Sequence, residues 1–148
     1  MNVVICQALG NELQAFLSAL SFDKVFILTD EHTRALCLPL LQGVEALKEA
    51  PVICTAAGDT HKSLEHLAKI WERLSNEGAT RHSLLINLGG GMVTDMGGFA
   101  GATFKRGIRT INIPTTLMAS VDAAVGGKTG INFNGLKNEI GSFYPPLC

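Results

Sequence analysis

Apolar positions along the chain follow two rhythms. Continuous apolar runs at 25–29, 52–55, 84–88 and 108–113 have the length and unbroken hydrophobicity of strands buried on both faces. A shorter run at 3–6 reads the same way. Between the runs, apolar residues recur at three-to-four spacing, the period of a helix with one buried face. This predicts helices over 11–20 (Leu13, Phe16, Leu17, Leu20), 31–41, 62–76 (Leu64, Leu67, Ile70, Trp71, Leu74), 92–104 (Met92, Val93, Met96, Phe99, Ala100, Thr103, Phe104) and, briefly, 117–124. Strand and helix in alternation with short links predict right-handed βαβ units. The expected fold class is therefore α/β, with a mostly parallel sheet and helices on both faces.

Punctuation sharpens this outline. Twelve of the sixteen glycines lie between Gly89 and Gly141, so the backbone there must turn sharply or admit a close neighbour. Gly97, Gly98 and Gly101 fall inside one helix, where each costs roughly 0.5–1 kcal/mol relative to Ala. Close packing on the sheet or on a neighbour must offset that. Gly78 suits the C′ position of the 62–76 helix, and Asp59 or Thr60 suits its cap. Pro114 stops a strand, and Thr115 and Thr116 follow where a cap would stand. Asn134-Gly135 reads as a turn, with Lys137 and Asn138 in the adjoining loop.

Length and composition set outer limits. A chain of 148 residues makes one domain, and 47% apolar with 17% charged residues suits a packed core. The net charge of −1 provides no basic footprint for nucleic acid. No apolar stretch is long enough to span a membrane, and the N-terminus carries no basic, then apolar, leader pattern. Cys6, Cys37, Cys54 and Cys148 lack CxxC spacing, so buried thiols in a reducing cytoplasm are expected. His32, His61, His66 and His82 show no metal-ligand spacing and read as surface residues. The closing Tyr144-Pro145-Pro146-Leu147-Cys148 reads as the entry to a linker or a further strand, which makes the chain a fragment by expectation.

Candidate chemistry concentrates in 58–62 and 84–140. Gly89-Gly90-Gly91 between a strand and a helix is either a pyrophosphate turn or simply a tight turn. Asp95, one turn into that helix, complements its dipole or contacts a ligand. Asp59 and Lys62 flank a helix start, as cap and solvated lysine or as a polar site. Thr115 and Thr116 are caps, or they turn hydroxyls to a ligand at the sheet edge. Asp122 is a lone charge in an apolar run and, if buried, needs a partner. Lys128, after two glycines, supplies one in a structural ion pair, or the two charges face a substrate.

The string GGGMVTDMGGFAGATFKRGIRTINIPTTLMASVDAAVGGKTGIN, with LKNEIGSFYPP after it, resembles the amino-terminal domain of 3-dehydroquinate synthase, in the sugar-phosphate cyclase superfamily. The resemblance spans about 58–145, with support at 25–30. It implies a Rossmann-like domain over 1–148 that lacks the family's carboxyl-terminal helical, metal-binding domain. It implies a cytoplasmic homodimer using NAD and a divalent metal, zinc or cobalt, on a sugar-phosphate substrate. The implied reaction converts 3-deoxy-D-arabino-heptulosonate 7-phosphate to 3-dehydroquinate and phosphate by oxidation, elimination, re-reduction and aldol closure, in the shikimate pathway. Carried over by position, Asp30, Gly58, Asp59, Lys62, Gly90, Gly91, Met92, Val93, Thr94, Asp95, Thr115, Thr116, Lys128 and Lys137 would meet the cofactor. Asp122, Lys128 and Asn138 would meet the substrate, and Arg106 would reach the substrate phosphate from a partner subunit. No metal ligand is expected in this chain, since the family's glutamate and two histidines lie in the absent domain. Ala57-Gly58-Asp59, His61 and the 133–138 loop depart from the family pattern. Another sugar-phosphate cyclase, a metal-dependent alcohol dehydrogenase and a non-catalytic nucleotide-binding or dimerisation module are the alternative readings.

Overall fold

Four parallel strands carry the fold in a computed structural model that describes residues 3–148. They are β1 (Val25–Asp30), β2 (Val52–Thr55), β3 (Leu84–Gly89) and β4 (Arg109–Pro114), in spatial order β2-β1-β3-β4. Alternation along β1 sends Phe26 and Leu28 to one face and Val25 and Ile27 to the other. On the first face lie helix α3 (Leu64–Asn76) and helix α4 (Gly91–Thr103). On the second lie α1 (Leu9–Ser18) and the 3-10 turns Leu38–Leu41 and Glu45–Leu47. The sheet is thus covered on both sides, which is why its strands read as unbroken apolar runs.

α4 is buried on nearly all sides, from Val93 to Gly101. Its glycines each admit a different neighbour. A Cβ at Gly97 would overlap Asn87 of β3 and Leu28 of β1, one at Gly101 would overlap Thr110 of β4, and one at Gly98 would overlap Thr129. Close approach of helix to sheet is the compensation their low helix propensity required. Gly78 also stands as expected: its φ of +77° ends α3 in a Schellman motif, with Gly78 N–H on the Ser75 carbonyl at 3.1 Å and Ala79 N–H on the Leu74 carbonyl at 2.8 Å.

Several expectations need correction. Residues 3–6 form no strand, because no neighbouring strand supplies a ladder for them. The helix expected over 31–41 ends as α2 (Glu31–Leu36), and Leu38–Leu41 is a 3-10 turn with Pro39 in its first positions. A proline has no N–H to continue the ladder, and it disfavours α geometry in the residue before it. α3 begins at Leu64 under a Ser63 cap, not at 62 under Asp59 or Thr60. Those two residues sit in their own 3-10 turn, Asp59–His61. The 117–124 helix contains a π-type turn, Ala119–Ala123, and exposes Leu117, Met118 and Val121. The cysteines are not buried: Cys6 is exposed and the other three are half-buried, all four as free thiols.

The largest omission is a hairpin. β5 (Lys128–Phe133) and β6 (Leu136–Phe143) pair antiparallel around Asn134-Gly135, whose φ values of +52° and +73° suit a two-residue primed turn. Ile131 anchors the hairpin in the α3–α4 core. Beyond it, Leu147 N–H donates to Thr110 O and Asn112 N–H to Cys148 O, both at 2.8 Å, so the last residues run along the free edge of β4.

Candidate active site

The chain steps from β1 outward to β2, then returns to place β3 on the other side of β1. In open α/β sheets such a reversal leaves a crevice at the carboxyl ends of the strands, and ligands bind there. Asp30 ends β1, Gly89-Gly90-Gly91 follows β3, and Thr115-Thr116 follows β4. Thr115 N–H donates to Gly89 O at 3.0 Å, and a Cβ at Gly90 would lie 3.2 Å from the Thr116 methyl. The glycine turn and the threonine pair are therefore one wall. Thr116 also caps the following turn, its Oγ1 accepting from Ala119 N–H at 3.2 Å. Asp30 caps α2, its Oδ1 accepting from Thr33 N–H at 2.8 Å.

α4 starts at this wall with no side-chain cap. The first N–H groups of a helix carry the positive end of its dipole and need an acceptor. Side chains there are otherwise committed. Val93 is fully buried, Thr94 is buried with its hydroxyl on the carbonyls of Gly90 (3.3 Å) and Gly91 (3.2 Å), and Met92 packs on the core. What Gly91, Met92 and Val93 can offer a ligand is backbone.

Beside that helix start sits a buried ammonium. Lys62 is 4% exposed; its Nζ lies 2.6 Å from Asn138 Oδ1, 3.1 Å from Asp95 Oδ2 and 3.5 Å from Asp59 Oδ1. It is no solvated lysine. Gly58, at φ +103°, turns the chain into this cluster. Burial pushes the Asp95 carboxyl above the ordinary range, against the Lys62 hydrogen bond and charge and with the repulsion of Asp122 and Asp59. Asp59 moves the other way. Burial opposes its ionisation, but the Asn132 hydrogen bond, the Lys62 charge and Lys137 together hold it low. Lys137 reaches Asp59 Oδ2 at 3.3 Å from an exposed position.

Asn132 ties the hairpin to this cluster, and sequence reasoning missed it. Its Nδ2 donates to Asp59 O at 3.0 Å, its Oδ1 accepts from Asn138 N–H at 3.0 Å, and its own N–H reaches Lys62 O at 2.8 Å. Asn138 is held at φ +52°, a conformation non-glycine residues seldom adopt. The signal was present: Asn-Gly between Ile131, Phe133, Leu136 and Ile140 marks a hairpin, which would have placed 132 and 138 on facing strands.

A cleft of about 470 Å³ opens next to the cluster, lined among others by Asp95, Asp122, Lys128, Asn138, Ser142 and Phe143. Asp122 and Lys128 thus share a cleft, but they make no ion pair among the described residues. Both are exposed. Of the two sequence readings of Asp122, the buried structural ion pair does not form, because Leu117, Met118 and Val121 face outward with it.

Arg106 does not join this cleft. It follows α4 at the end opposite Gly91, and thirteen helical residues span about 20 Å. There Lys105 (φ +48°) and Arg106 (φ +66°) border an open groove with Arg81, Arg109 and Tyr144. Among the described residues no group of three or more His, Cys, Asp or Glu could hold a metal ion. No helix is long and apolar enough to cross a membrane.

Comparison with known proteins places this geometry. Residues 52–148 match the family described as 3-dehydroquinate synthase N-terminal. A 3-dehydroquinate synthase of Parabacteroides distasonis is 70% identical over 147 residues, 99% of this chain and 42% of that protein. One from Thermococcus kodakarensis is 48% identical, over 90% of this chain and 38% of that protein. The chain therefore spans about two fifths of the length of these relatives. Among solved structures, 2-deoxy-scyllo-inosose synthase complexed with carbaglucose-6-phosphate, NAD+ and Co2+ superimposes with a TM-score of 0.79 at 28% identity, over 90% of this chain and 38% of that one. ValA, the 2-epi-5-epi-valiolone synthase of Streptomyces hygroscopicus with NAD+ and Zn2+ bound, gives 0.78 at 30% identity, over 89% and 37%. With more than half its residues under the family model and this identity to its curated members, the chain belongs to the 3-dehydroquinate synthase N-terminal family.

Proposed function

We propose that this chain forms the cofactor side and one substrate wall of a 3-dehydroquinate synthase. The reaction releases phosphate from 3-deoxy-D-arabino-heptulosonate 7-phosphate and closes the carbocycle of 3-dehydroquinate, in the shikimate pathway. The carrying observation is the buried Lys62 bridging Asp95 and Asn138 beside the uncapped start of α4. A dinucleotide pyrophosphate fits the free N–H groups of Gly91, Met92 and Val93, over a Gly90 whose missing Cβ leaves room. NAD held there would supply hydride-transfer chemistry. Asp95, Thr115, Thr116 and the Asp30 carboxylate line the path of its riboses and adenosine. Gly58, Asp59, Lys62 and Lys137 hold the hairpin against it.

Lys128 and Asp122 offer a cation and an acceptor across one cleft, a combination suited to a substrate carrying both phosphate and hydroxyls. Asn138, fixed by Lys62, adds an amide. Arg106, at the far end of α4, can meet only the cleft of a second copy. A homodimer in which it reaches the partner's substrate phosphate is part of this reading, as is a cytoplasmic setting. Among the described residues no cluster of His, Cys, Asp or Glu fits a zinc or cobalt ion. The metal belongs with the part of the full-length relatives that this chain does not span.

Two measurements test this. The full-length protein should release phosphate from the heptulosonate substrate and not from a hexose 6-phosphate; the reverse preference would assign it to another cyclase. The 148-residue chain alone should release none above a no-protein control while still giving a weak calorimetric signal with millimolar NAD. Absence of NAD binding in both forms would remove the cofactor reading.

A further inference from the structure

A line of amides runs from the middle of the sheet to the turn that carries Asp122. Asn87 of β3 is fully buried, and its Nδ2 donates to Asn112 Oδ1 at 2.9 Å, its direct neighbour across the β3–β4 pair. Asn112 Nδ2 then donates to the Ala124 carbonyl at 3.0 Å. Ala124 closes the π-type turn, its N–H on the Ala119 carbonyl at 2.9 Å, two residues past Asp122.

The order of donors follows from the far end. A carbonyl only accepts, so Asn112 must turn its amide nitrogen to Ala124 and its oxygen to Asn87. Asn87 must then offer its own nitrogen to Asn112. Its Oδ1 is left buried and, among the described residues, unpartnered, in the space a Cβ on Gly97 would need. A buried acceptor without a donor lowers stability, and an incomplete buried network is worse than apolar side chains of the same shape. Packing therefore does not account for the pair.

The turn has little else to hold it. Leu117, Met118 and Val121 are 79%, 71% and 68% exposed, and only Ala119 and Ala124 are buried. The other anchors are Thr116 on Ala119 N–H, within the turn, and the start of α4, where Gly91 faces the Ala123 methyl. π-type turns are less favourable than α turns and recur at functional sites. We propose that Asn87 and Asn112 are positioning residues, which fasten the Ala124 carbonyl to the sheet and thereby fix Asp122 on the cleft wall. Neither touches the cleft. The catalytic consequence rests on the cleft being the substrate cleft, as proposed above; the fastening itself does not.

The test uses hydrogen exchange and steady-state kinetics on one preparation of the full-length protein. In Asn112→Leu, amides of 117–127 should exchange about tenfold faster while those of β3 keep their rates. Turnover should fall about tenfold with KM little changed. Asn87→Leu removes the orphaned oxygen but takes the donor from Asn112 Oδ1, so it should speed exchange in 117–127 in the same direction with little net change in melting temperature. It decides the matter if Asn112→Leu does not fold. Asn112→Gln, which keeps the amide, should recover most of both losses. Unchanged exchange in 117–127, or a rise there matched by β3, overturns the positioning role. A parent protein without synthase turnover would refute the catalytic reading alone, and the exchange arm would still decide the fastening.

Discussion

Lys62 Nζ lies 2.6 Å from Asn138 Oδ1, joining positions 76 residues apart and locking the β5–β6 hairpin onto the end of the sheet. The same ammonium holds Asp95. Removing it leaves a half-buried carboxylate without its cation and frees Asn138. Breaking a buried pair by deleting one partner is far more damaging than losing a surface pair. Lys62→Met is expected to cost on the order of 3 kcal/mol in urea unfolding. Lys69→Met, which breaks only an exposed pair with Glu65, should cost less than about 0.5 kcal/mol. Equal, small losses in both would show that Lys62 is not a structural clamp.

Asp59 and Asp95 share that ammonium yet should respond to acid in opposite senses. Asp59 is held below its ordinary value, so the folded chain binds fewer protons there than the unfolded one. Its stabilisation is present above the unfolded value and is lost as pH falls through the lower folded value. Asp95 is raised by burial, so the folded chain binds more protons there. Stability linked to it falls as pH climbs from the unfolded value, about 4, through the raised folded value. The stability of Asp95→Asn relative to the parent should therefore rise with pH across that upper window and then level off. That of Asp59→Asn relative to the parent should fall with rising pH on the acid limb. Urea midpoints from about pH 3 to about pH 7 check both signs, and a shared sign would overturn the account.

Gly97 sets two forces against each other. Alanine improves helix propensity by about 1 kcal/mol over glycine. Its Cβ, however, would overlap Asn87 and Leu28 in a fully packed layer, and overpacking costs typically 1–3 kcal/mol. Packing should win: Gly97→Ala is expected to lower stability by up to roughly 2 kcal/mol net. Gly43, whose Cβ would meet nothing within 4 Å, is the control and should accept alanine with little loss. A stabilised Gly97→Ala would mean that α4 can move off the sheet.

The parallel sheet was legible because burial on both faces leaves unbroken apolar runs, and each of 25–29, 52–55, 84–88 and 108–113 became a strand. The glycines of α4 carried their own message, since nothing but close approach excuses three in one helix. Less legible was anything set by a distant partner. Lys62 looks like any lysine near a helix start until Asp95 and Asn138 arrive from 33 and 76 residues away. Asp122 misled in the opposite direction: its apolar neighbours suggested burial, yet Leu117, Met118 and Val121 face outward. Apolar runs report a need for cover, and in this turn the described residues do not supply it.

Lys128 and Asp122 allow a sharper decision than buried residues would. Both are exposed on the wall of one cleft and neither holds the other, so replacing either removes little packing and, among the described residues, no ion pair. Surface substitutions of that kind change stability by about 0.5 kcal/mol or less. If the cleft is where the substrate binds, Lys128 is a cation positioned by Gly126 and Gly127, with Gly127 at φ +69°, a conformation a bulkier residue resists. Lys128→Met in the full-length protein should then reduce turnover at least ~tenfold, equivalent to ~1.4 kcal/mol of transition-state stabilisation, while the melting temperature stays within about 1 °C of the parent. Lys128→Arg keeps the charge and should retain more activity than Met. The opposite pattern, a clear fall in melting temperature with near-normal turnover, would make Lys128 a structural residue and move the substrate elsewhere. Measuring turnover and melting on the same preparation separates the two, because an exposed cation has no structural debt through which a folding defect could masquerade as lost chemistry.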